Sequence, residues 1–355
     1  MEDKKFLHYI HYFRGAAILF IVGLHSCISL KWGEALLQRK LAMVLFNNGT
    51  VLFVFISGYL FYHLSKDRFD YKDYLKKKFL YVIIPYLIVS IPALIDKFYI
   101  DKMGSHWWMD HGFGQKSALS KLIFLLITGR HMGVLWFIPM ITIFYIFAPL
   151  ILRFARWKFF VYIAPLIILF GLFTFRFGYY ANIGLSIEYF FPVYLFGIWI
   201  YKIKDYIFLH ARTFLVILGI LYLGMNICEF LEWIPFDDLI KTRDGYIPYT
   251  EYRLNYNKLK MQLLCVFLLT LFFALNHKQF HVLKLLGDYS FGIFFVHLYV
   301  IEVLRLADRA GLLKISPPTI VTFVLYFLFI VLTTVLIVKI IKTVLKDKSR
   351  YFIGS

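Results

Sequence analysis

About ten stretches of some twenty mainly apolar residues divide this sequence, and the charged residues collect between them. A helix needs about twenty residues to cross the hydrocarbon core of a bilayer, and backbone groups in lipid must be hydrogen-bonded within the protein. Alternation with the period of a strand is absent. We therefore predict an all-α polytopic membrane protein with about ten transmembrane helices, at residues 10–30, 43–64, 79–98, 134–152, 159–175, 187–203, 214–230, 259–275, 285–306 and 320–341.

The distribution of positive charge among the loops indicates how the chain is oriented in the membrane. The formal net charge is +18, and the short connections 66–78, 153–158 and 202–212 are rich in lysine and arginine. Positive residues favour the cytoplasmic side of a membrane, so we predict that both termini are cytoplasmic. Because topology accounts for the positive charge, a nucleic-acid partner is not indicated. We find neither repeats nor a soluble region and predict one membrane domain over residues 1–355, with no appended soluble domain and with membrane lipids around it.

The first apolar stretch contains two ionisable residues, Arg14 and His25. Eleven residues are almost three helical turns, so both side chains lie on one face, about 16 Å apart along the axis. Ionisable groups at membrane depth are costly, and one found there is a candidate functional residue. The alternative is that Arg14 only anchors the helix end and that His25 is a satisfied packing residue.

Five segments in order resemble the membrane acyltransferase-3 family of bacterial O-acyltransferases of carbohydrates and glycolipids. YFRGAAILFIVGLHS is similar to its first helix, where an arginine precedes a histidine by this spacing. NNGTVLFVFISGYLFYH resembles the second helix, KKKFLYVIIPY the third, GVLWFIPMITIFYIFAPLI the fourth and LGDYSFGIFFVHLYVI a late helix. The similarity extends over nearly the whole chain.

This resemblance implies a multi-pass enzyme of the bacterial cytoplasmic membrane that transfers an acyl group, most simply acetyl, from cytoplasmic acyl-CoA. The acceptor would be a hydroxyl of a cell-surface or lipid-linked glycan in the cell envelope, as in O-acetylation of a polysaccharide. The resemblance assigns this reaction to Arg14 and His25. A neutral imidazole can remove the proton of a hydroxyl, which suits His25 as catalytic base, and the arginine fork suits Arg14 for orienting the donor.

Other residues are candidates for binding the two substrates. The inner basic residues suit the phosphates of CoA; they are Lys76, Lys77, Lys78 and Arg156. Four further residues are predicted to contact the acyl chain or the acceptor: Trp136, His297, Trp233 and Glu232. Topology, packing and interfacial anchoring also explain residues of these types. No metal is expected, because neither the three cysteines nor the stretch 106–111 has the spacing of a standard site.

Several alternatives stay open from sequence. The rival function is a glycan or small-solute transporter in which an intramembrane histidine relays protons. Within the acyltransferase interpretation, His25 is either the general base or a carrier that is itself acylated. The side of the membrane where transfer occurs, the acceptor and the acyl chain are undetermined, and a homodimer is possible.

Overall fold

A computed structural model describes residues 7–100, 115–175, 183–235, 253–313 and 319–355. Helices account for nearly all of these residues. Eight helical stretches in the described ranges are long and apolar enough to cross a membrane, or nine if one bent pair counts as a single span. Of these stretches, Leu36–Ser65, Tyr71–Tyr99 and Ile320–Ile353 consist of consecutive shorter helices. The prediction of an all-α polytopic membrane protein is confirmed. The segment predicted at 159–175 forms a helix of only 12 residues, which is about 18 Å long and shorter than the hydrocarbon core.

The helices are numbered in chain order. The first seven are α1 (His8–Ser29), α2 (Leu36–Phe46), α3 (Thr50–Ser65), α4 (Tyr71–Lys78), α5 (Ile84–Ile95), α6 (Ala118–Thr128) and α7 (Phe137–Ile146). The next eight are α8 (Ala148–Arg156), α9 (Phe160–Gly171), α10 (Ile183–Leu209), α11 (Ala211–Phe230), α12 (Tyr256–Ala274), α13 (His281–Arg309), α14 (Ile320–Leu345) and α15 (Ser349–Ile353). Two π-helical turns, Phe79–Ile83 and Asp96–Ile100, flank α5.

Two of the predicted spans contain a break. The span at 134–152 bends by 61° between α7 and α8, where Pro149 lies in the first turn of α8 and cannot donate a backbone hydrogen bond. The other break separates α2 from α3, where Asn48 adopts a left-handed conformation with φ of 60°. An asparagine tolerates this conformation better than most residues.

Glycines allow two pairs of helices to pack at very short distance. On α1, a Cβ atom at Gly15 would lie 2.2 Å from the carbonyl oxygen of Leu283 on α13, and one at Gly287 would lie 2.4 Å from that of His11. The crossing of α3 and α10 is similar, because a Cβ at Gly58 would lie 2.0 Å from the oxygen of Tyr194.

Helix α1 lies at the centre of the bundle, in contact with α2, α3, α12, α13 and α14. The end where α1 begins, which we call the Arg14 end, also holds the end of α12, since Tyr12 OH donates to the Lys278 carbonyl at 3.4 Å. Helix α15 packs there too, with Tyr351 against Tyr81. The opposite end, where α11 ends and α12 begins, is called the far end.

Candidate active site

His25 on α1 faces His297 on α13. The two ring centroids are 5.4 Å apart and the ring planes are tilted by 52°. The glycine crossing near the start of α1 brings these two helices together, and both run in the same direction, so residues about ten positions further along also meet. His297 is fully buried and His25 is partly accessible. The structure thus joins two predicted site residues that are 272 positions apart in the chain.

Hydrogen bonding orients the His297 ring. Its Nδ1 lies 2.9 Å from the Ile293 carbonyl oxygen, which can only accept, so Nδ1 carries the proton in this arrangement. Nε2 is buried and has no hydrogen-bond partner among the residues that the structure describes. In the neutral ring this nitrogen is an acceptor. His25 makes no side-chain hydrogen bond to any residue that the structure describes, so both rings keep a nitrogen for a third group.

Arg14 is also held by α13. Its Nη2 donates to Ser290 Oγ at 2.9 Å, and that hydroxyl donates in turn to the Gly287 carbonyl at 2.9 Å. The Asp288 carboxylate, which bonds His11 at 2.7 Å, lies near enough to act on the Arg14 charge. The remaining guanidinium donors make no hydrogen bond to a residue in the described ranges. They are therefore available to an anionic or carbonyl group.

The predicted basic cluster is divided by the structure. Lys78 is half-buried, lies 4.6 Å from the Tyr145 ring centroid and interacts electrostatically with Arg14. Lys76 and Lys77 are exposed, and Lys77 pairs with Asp73 at 2.7 Å on its own helix. Lys78 is therefore the lysine of this run whose charge lies near the Arg14 guanidinium.

Arg156 has a local structural partner. Its Nη2 donates to the carbonyl oxygens of Ser65 and Lys66, each at 3.0 Å. The last carbonyls of a helix have no partner within the helix, so Arg156 caps the end of α3. This contact occupies one guanidinium nitrogen and orients the side chain along α3.

Trp136 precedes α7 and packs against α10. Its ring stacks on Phe190 of α10 at 5.5 Å between centroids and meets Phe137 edge to face. Phe137 contacts Phe294 of α13 at 5.6 Å, and Phe294 is one turn before His297. Trp136 thus belongs to an aromatic wall between α10 and α13, as a residue lining an acyl chain would.

Glu232 and Trp233 lie at the surface of the far end, whereas the histidine pair lies in the interior. Trp233 is 73% exposed. Glu232 forms an ion pair with Lys40, and this hydrogen bond and charge lower the pKa of the Glu232 carboxyl below its ordinary value. The structure does not bring either residue to His25 or His297.

Two interpretations of the sequence concern residues that lie outside the described ranges. One is the stretch 106–111, whose spacing matches no standard metal site; the other is the greater part of the loop 229–256, whose aromatic and acidic side chains suit a sugar acceptor or interfacial anchoring. In the part of the chain that the structure describes, no group of three or more His, Cys, Asp or Glu side chains could hold a metal ion.

The sequence alone connects neither Ser290 nor Asp288 with Arg14, and it does not distinguish Lys78 from the lysines beside it. One signal was present, because Ser290 precedes His297 by seven residues, which is two turns on one face of α13. Arg14 and His25 likewise share a face of α1. Two parallel helices with polar residues at matching heights indicate an interface between them.

His131 fixes the loop that leads into Trp136. Its ring nitrogens lie 3.0 Å from the Leu125 carbonyl and 2.7 Å from Ser90 Oγ. This loop lies between α6 and α7, outside the candidate spans. Burial lowers the pKa of the His131 imidazole to about 4, and the bond to Leu125 offsets this only in part.

The shift at His131 predicts a pH effect on stability. In the unfolded chain the His131 imidazole binds a proton near pH 6.5, whereas in the folded chain its pKa is about 4. The contribution of neutral His131 to the free energy of unfolding is fully present above pH 6.5. As the pH falls from 6.5 to 4, the free energy of unfolding decreases by up to about 1.4 kcal/mol per pH unit. Thermal unfolding in detergent at pH 7 and pH 5 should show the fall, and His131→Gln should lack this part of it. An identical pH dependence in the variant would contradict the prediction.

Comparison with known proteins gives one match. A family model described as an acyltransferase domain matches residues 7–340. This range includes the two helices that carry the histidine pair, the residues that contact Arg14, and Trp136. Neither the search of curated proteins nor that of solved structures found a match. With nearly the whole chain matched, and with the ionisable pair of the first helix placed in the interior, the chain belongs to the acyltransferase 3 family of multi-pass membrane enzymes.

Proposed function

We propose that this enzyme transfers an acyl group, most simply acetyl, from cytoplasmic acyl-CoA to a hydroxyl of a cell-surface or lipid-linked glycan. The observation that carries the proposal is the contact between His25 and His297, 5.4 Å apart between centroids, inside a chain of this family. A hydroxyl attacks a thioester only when its proton is removed, and a buried imidazole with a vacant nitrogen suits that task. Membership in an enzyme family favours this function over a transporter.

In the proposed reaction, His25 takes the proton of the acceptor hydroxyl as the new ester bond forms. The carbon–sulfur bond of the thioester then breaks, and the CoA thiolate leaves and receives a proton. His297 is oriented by Ile293, and its Nε2 accepts a hydrogen bond from the acceptor or from protonated His25. In a second route the imidazole of His25 first attacks the thioester, a carbon–nitrogen bond forms and the CoA thiolate leaves; the acceptor hydroxyl then attacks this acyl-imidazole, the carbon–nitrogen bond breaks as the ester forms, and the hydroxyl proton passes to the released imidazole.

Arg14 orients the donor in this proposal. Ser290 fixes one of its nitrogens, and the other donors are directed to a phosphate or carbonyl oxygen of the CoA arm, because arginine binds such groups through two parallel hydrogen bonds. Lys78 adds a second positive charge at the same end. Lys76, Lys77 and Arg156 would act at longer range, on the nucleotide phosphates near the membrane surface.

The donor is cytoplasmic in this proposal, so the Arg14 end faces the cytoplasm, and both termini with it. We place the enzyme in the bacterial inner membrane as a single membrane domain, with lipids and a glycan or lipid-linked sugar as its partners. Trp136 would line the path of the acyl chain, and Glu232 and Trp233 would meet the glycan first at the surface.

The test uses vesicles from cells that make the protein, so that the natural acceptor is present, supplied with acetyl-CoA labelled in the acetyl group. We expect label in the glycan fraction and one free CoA for each acetyl transferred. Vesicles that contain the protein but release no more CoA than vesicles without it would overturn the proposal.

Arg14→Ala should weaken CoA binding about 10- to 100-fold, because a hydrogen bond to a charged group is worth about 1.5–3 kcal/mol. Calorimetric titration of the detergent-solubilised variant with CoA measures this. Arg305→Ala is the control, since Arg305 forms an exposed pair with Glu302 on the same helix as Ser290. Unchanged affinity in Arg14→Ala would assign Arg14 to anchoring.

A further inference from the structure

A small cavity lies at the Arg14 end of the bundle, between the start of α1 and the connection from α12 to α13. Its volume is about 230 Å³. Pockets that enclose a whole drug-sized ligand usually measure about 300–1,000 Å³, so this cavity suits one group of a larger ligand. The lining residues that bear on its chemistry are His8, Tyr12, Lys278, Phe280, His281 and Lys284.

The connection from α12 to α13 is held against α1. Tyr12 OH donates to the Lys278 carbonyl at 3.4 Å, and the Tyr12 and Phe280 rings meet edge to face with their centroids 5.5 Å apart. The backbone N–H of Lys278 donates to the Leu275 carbonyl at 2.8 Å, which closes a turn. The cavity is therefore built by contacts within the fold.

The charge around this cavity is positive. Lys278 and Lys284 both line it, and neither side chain forms an ion pair with a residue that the structure describes. All of the lining residues belong to the described ranges, and none of them is acidic. The first carboxylate along α13 is Asp288, which bonds His11 at 2.7 Å. An anion in the cavity would meet two lysines without a competing carboxylate.

Two helices begin at this cavity. His8 is the first residue of α1, and His281 is the first residue of α13. Neither helix start has a side-chain cap or an acidic residue in its first turn. The first backbone N–H groups of a helix have no partner within the helix, and the helix dipole adds positive potential there. Both helix starts therefore add to the attraction that the two lysines exert on a phosphate.

The cavity lies in line with Arg14 and His25. His8 precedes Arg14 by six residues, which is about 9 Å along α1, and Arg14 precedes His25 by about 16 Å. On α13, Lys284 likewise precedes Ser290, the residue that binds Arg14, by six residues. A donor that extends from His25 past Arg14 would therefore reach the cavity with its far end.

The chemistry of CoA supplies a group that matches this position. Its pantetheine arm runs from the thioester to a diphosphate, and the ribose beyond the diphosphate carries a 3′-phosphate. The proposed function assigns Arg14 to an oxygen of the arm, so a site further from His25 would hold the phosphate that is farthest from the thioester. A phosphate monoester carries about 1.5 to 2 negative charges near neutral pH, which two lysines and two helix starts can balance.

We propose that this cavity binds the 3′-phosphate of the acyl-CoA donor, and that Lys278 and Lys284 are the side chains that bind it. This inference rests on the proposed function. It makes the enzyme selective for a donor with a phosphorylated ribose. Arg14 and the cavity then hold the donor at two points, and the thioester is directed along α1 to His25.

The test compares CoA with dephospho-CoA, which lacks only the 3′-phosphate, by calorimetric titration of the detergent-solubilised protein. The wild type should bind CoA at least about 10-fold more tightly, which is the effect of one hydrogen bond to a charged group. The double variant Lys278→Gln with Lys284→Gln should lose this preference. Its affinity for CoA should fall to that for dephospho-CoA, and its affinity for dephospho-CoA should equal that of the wild type.

Two control variants accompany the glutamine double variant. Lys346→Gln with Lys348→Gln removes two exposed lysines that follow α14 at the same end of the bundle, and it should keep the preference for CoA. Lys278→Arg with Lys284→Arg should keep it as well, because arginine also binds phosphate. A wild type that does not distinguish the two nucleotides, or an equal loss of affinity for both in the glutamine double variant, would overturn the proposal.

An anionic lipid headgroup also carries a phosphate, and a separate measurement distinguishes this source. Unfolding temperatures are compared in nanodiscs of phosphatidylcholine with and without phosphatidylglycerol. The wild type and the glutamine double variant should respond equally to phosphatidylglycerol. A stabilisation that the wild type shows and the double variant lacks would assign the cavity to a lipid and contradict the proposal.

Failure of this inference is separable from failure of the proposed function. A wild type that binds neither nucleotide and releases no CoA from acetyl-CoA would reject the proposed function. A wild type that transfers acetyl equally well from acetyl-CoA and from acetyl-dephospho-CoA would keep that function and reject the cavity as the site of the 3′-phosphate.

Discussion

Replacement of His25 by alanine should lower acetyl transfer about 10²- to 10⁴-fold, the usual contribution of a positioned general base. The variant keeps the helix, since alanine is the best helix former. CoA affinity should change little because Arg14, about 16 Å away along the same helix, is untouched. Transfer of labelled acetyl in vesicles gives the rate, and titration with CoA gives the affinity.

The control for this variant is His210→Ala, which removes an exposed histidine near the Arg14 end. Its rate should equal that of wild type. Transfer by His25→Ala at the wild-type rate would exclude His25 from the chemistry. Wild type quenched rapidly in denaturant at neutral pH tests the second route, because an acyl-imidazole hydrolyses in acid: acetyl found on a peptide containing His25 indicates the acyl-carrier route.

Introduction of a single methyl group at Gly58 should have the largest effect on stability. A Cβ there would lie 2.0 Å from the Tyr194 carbonyl oxygen, and the reciprocal Gly197 would place one 2.1 Å from that of Phe55. Backbone atoms cannot rotate away as a side chain can, so α3 and α10 must separate along the crossing. We expect Gly58→Ala to cost about 3 kcal/mol or more, the upper range for overpacking.

Thermal or denaturant unfolding in detergent measures this loss, and Gly224→Ala is the matched control. Gly224 lies within α11, and no atom lies within 4 Å of a Cβ placed there. That variant should gain up to about 1 kcal/mol, because alanine is favoured over glycine in a helix. Equal stability of the two variants would show that the crossing is loosely packed.

The positions of Arg14 and His25 were predictable from sequence because they depend only on local geometry. Both lie on one uninterrupted helix, His8–Ser29, so helical periodicity alone fixes their shared face and separation. The absence of residues 118–128 from the predicted spans also rests on a local property, since length decides whether an apolar run can span a bilayer.

The partners of these residues were not predictable, because they depend on which helices pack together. Nothing local in the sequence shows that Arg14 binds Ser290, or that the run from Lys76 to Lys78 sends one lysine inward and two outward. The bend between α7 and α8 and the left-handed residue at Asn48 are also tertiary outcomes, although Pro149 and the Asn-Asn-Gly sequence mark both positions.

The buried polar residues at the start of α12 show a different limit. A hydropathy window averages over about twenty residues, so the buried amides and lysines at the start of α12 are hidden by the apolar residues that follow. Only burial reveals that Lys258 and Lys260 are enclosed rather than exposed at a membrane surface.

The central position of α1 has a consequence for donor choice. In the proposed function, one helix carries both the donor-binding Arg14 and the catalytic His25, and would therefore fix the distance between them along the axis at about 16 Å. A donor would then be selected by the length of the arm between its anionic group and its thioester. An acetyl thioester that lacks the nucleotide part would react more slowly as well as bind more weakly, because binding energy remote from the reacting atoms positions those atoms. The acyl group beyond the thioester does not enter this measurement. In the proposed function, the size of the acyl group would be limited by the aromatic wall that includes Trp136.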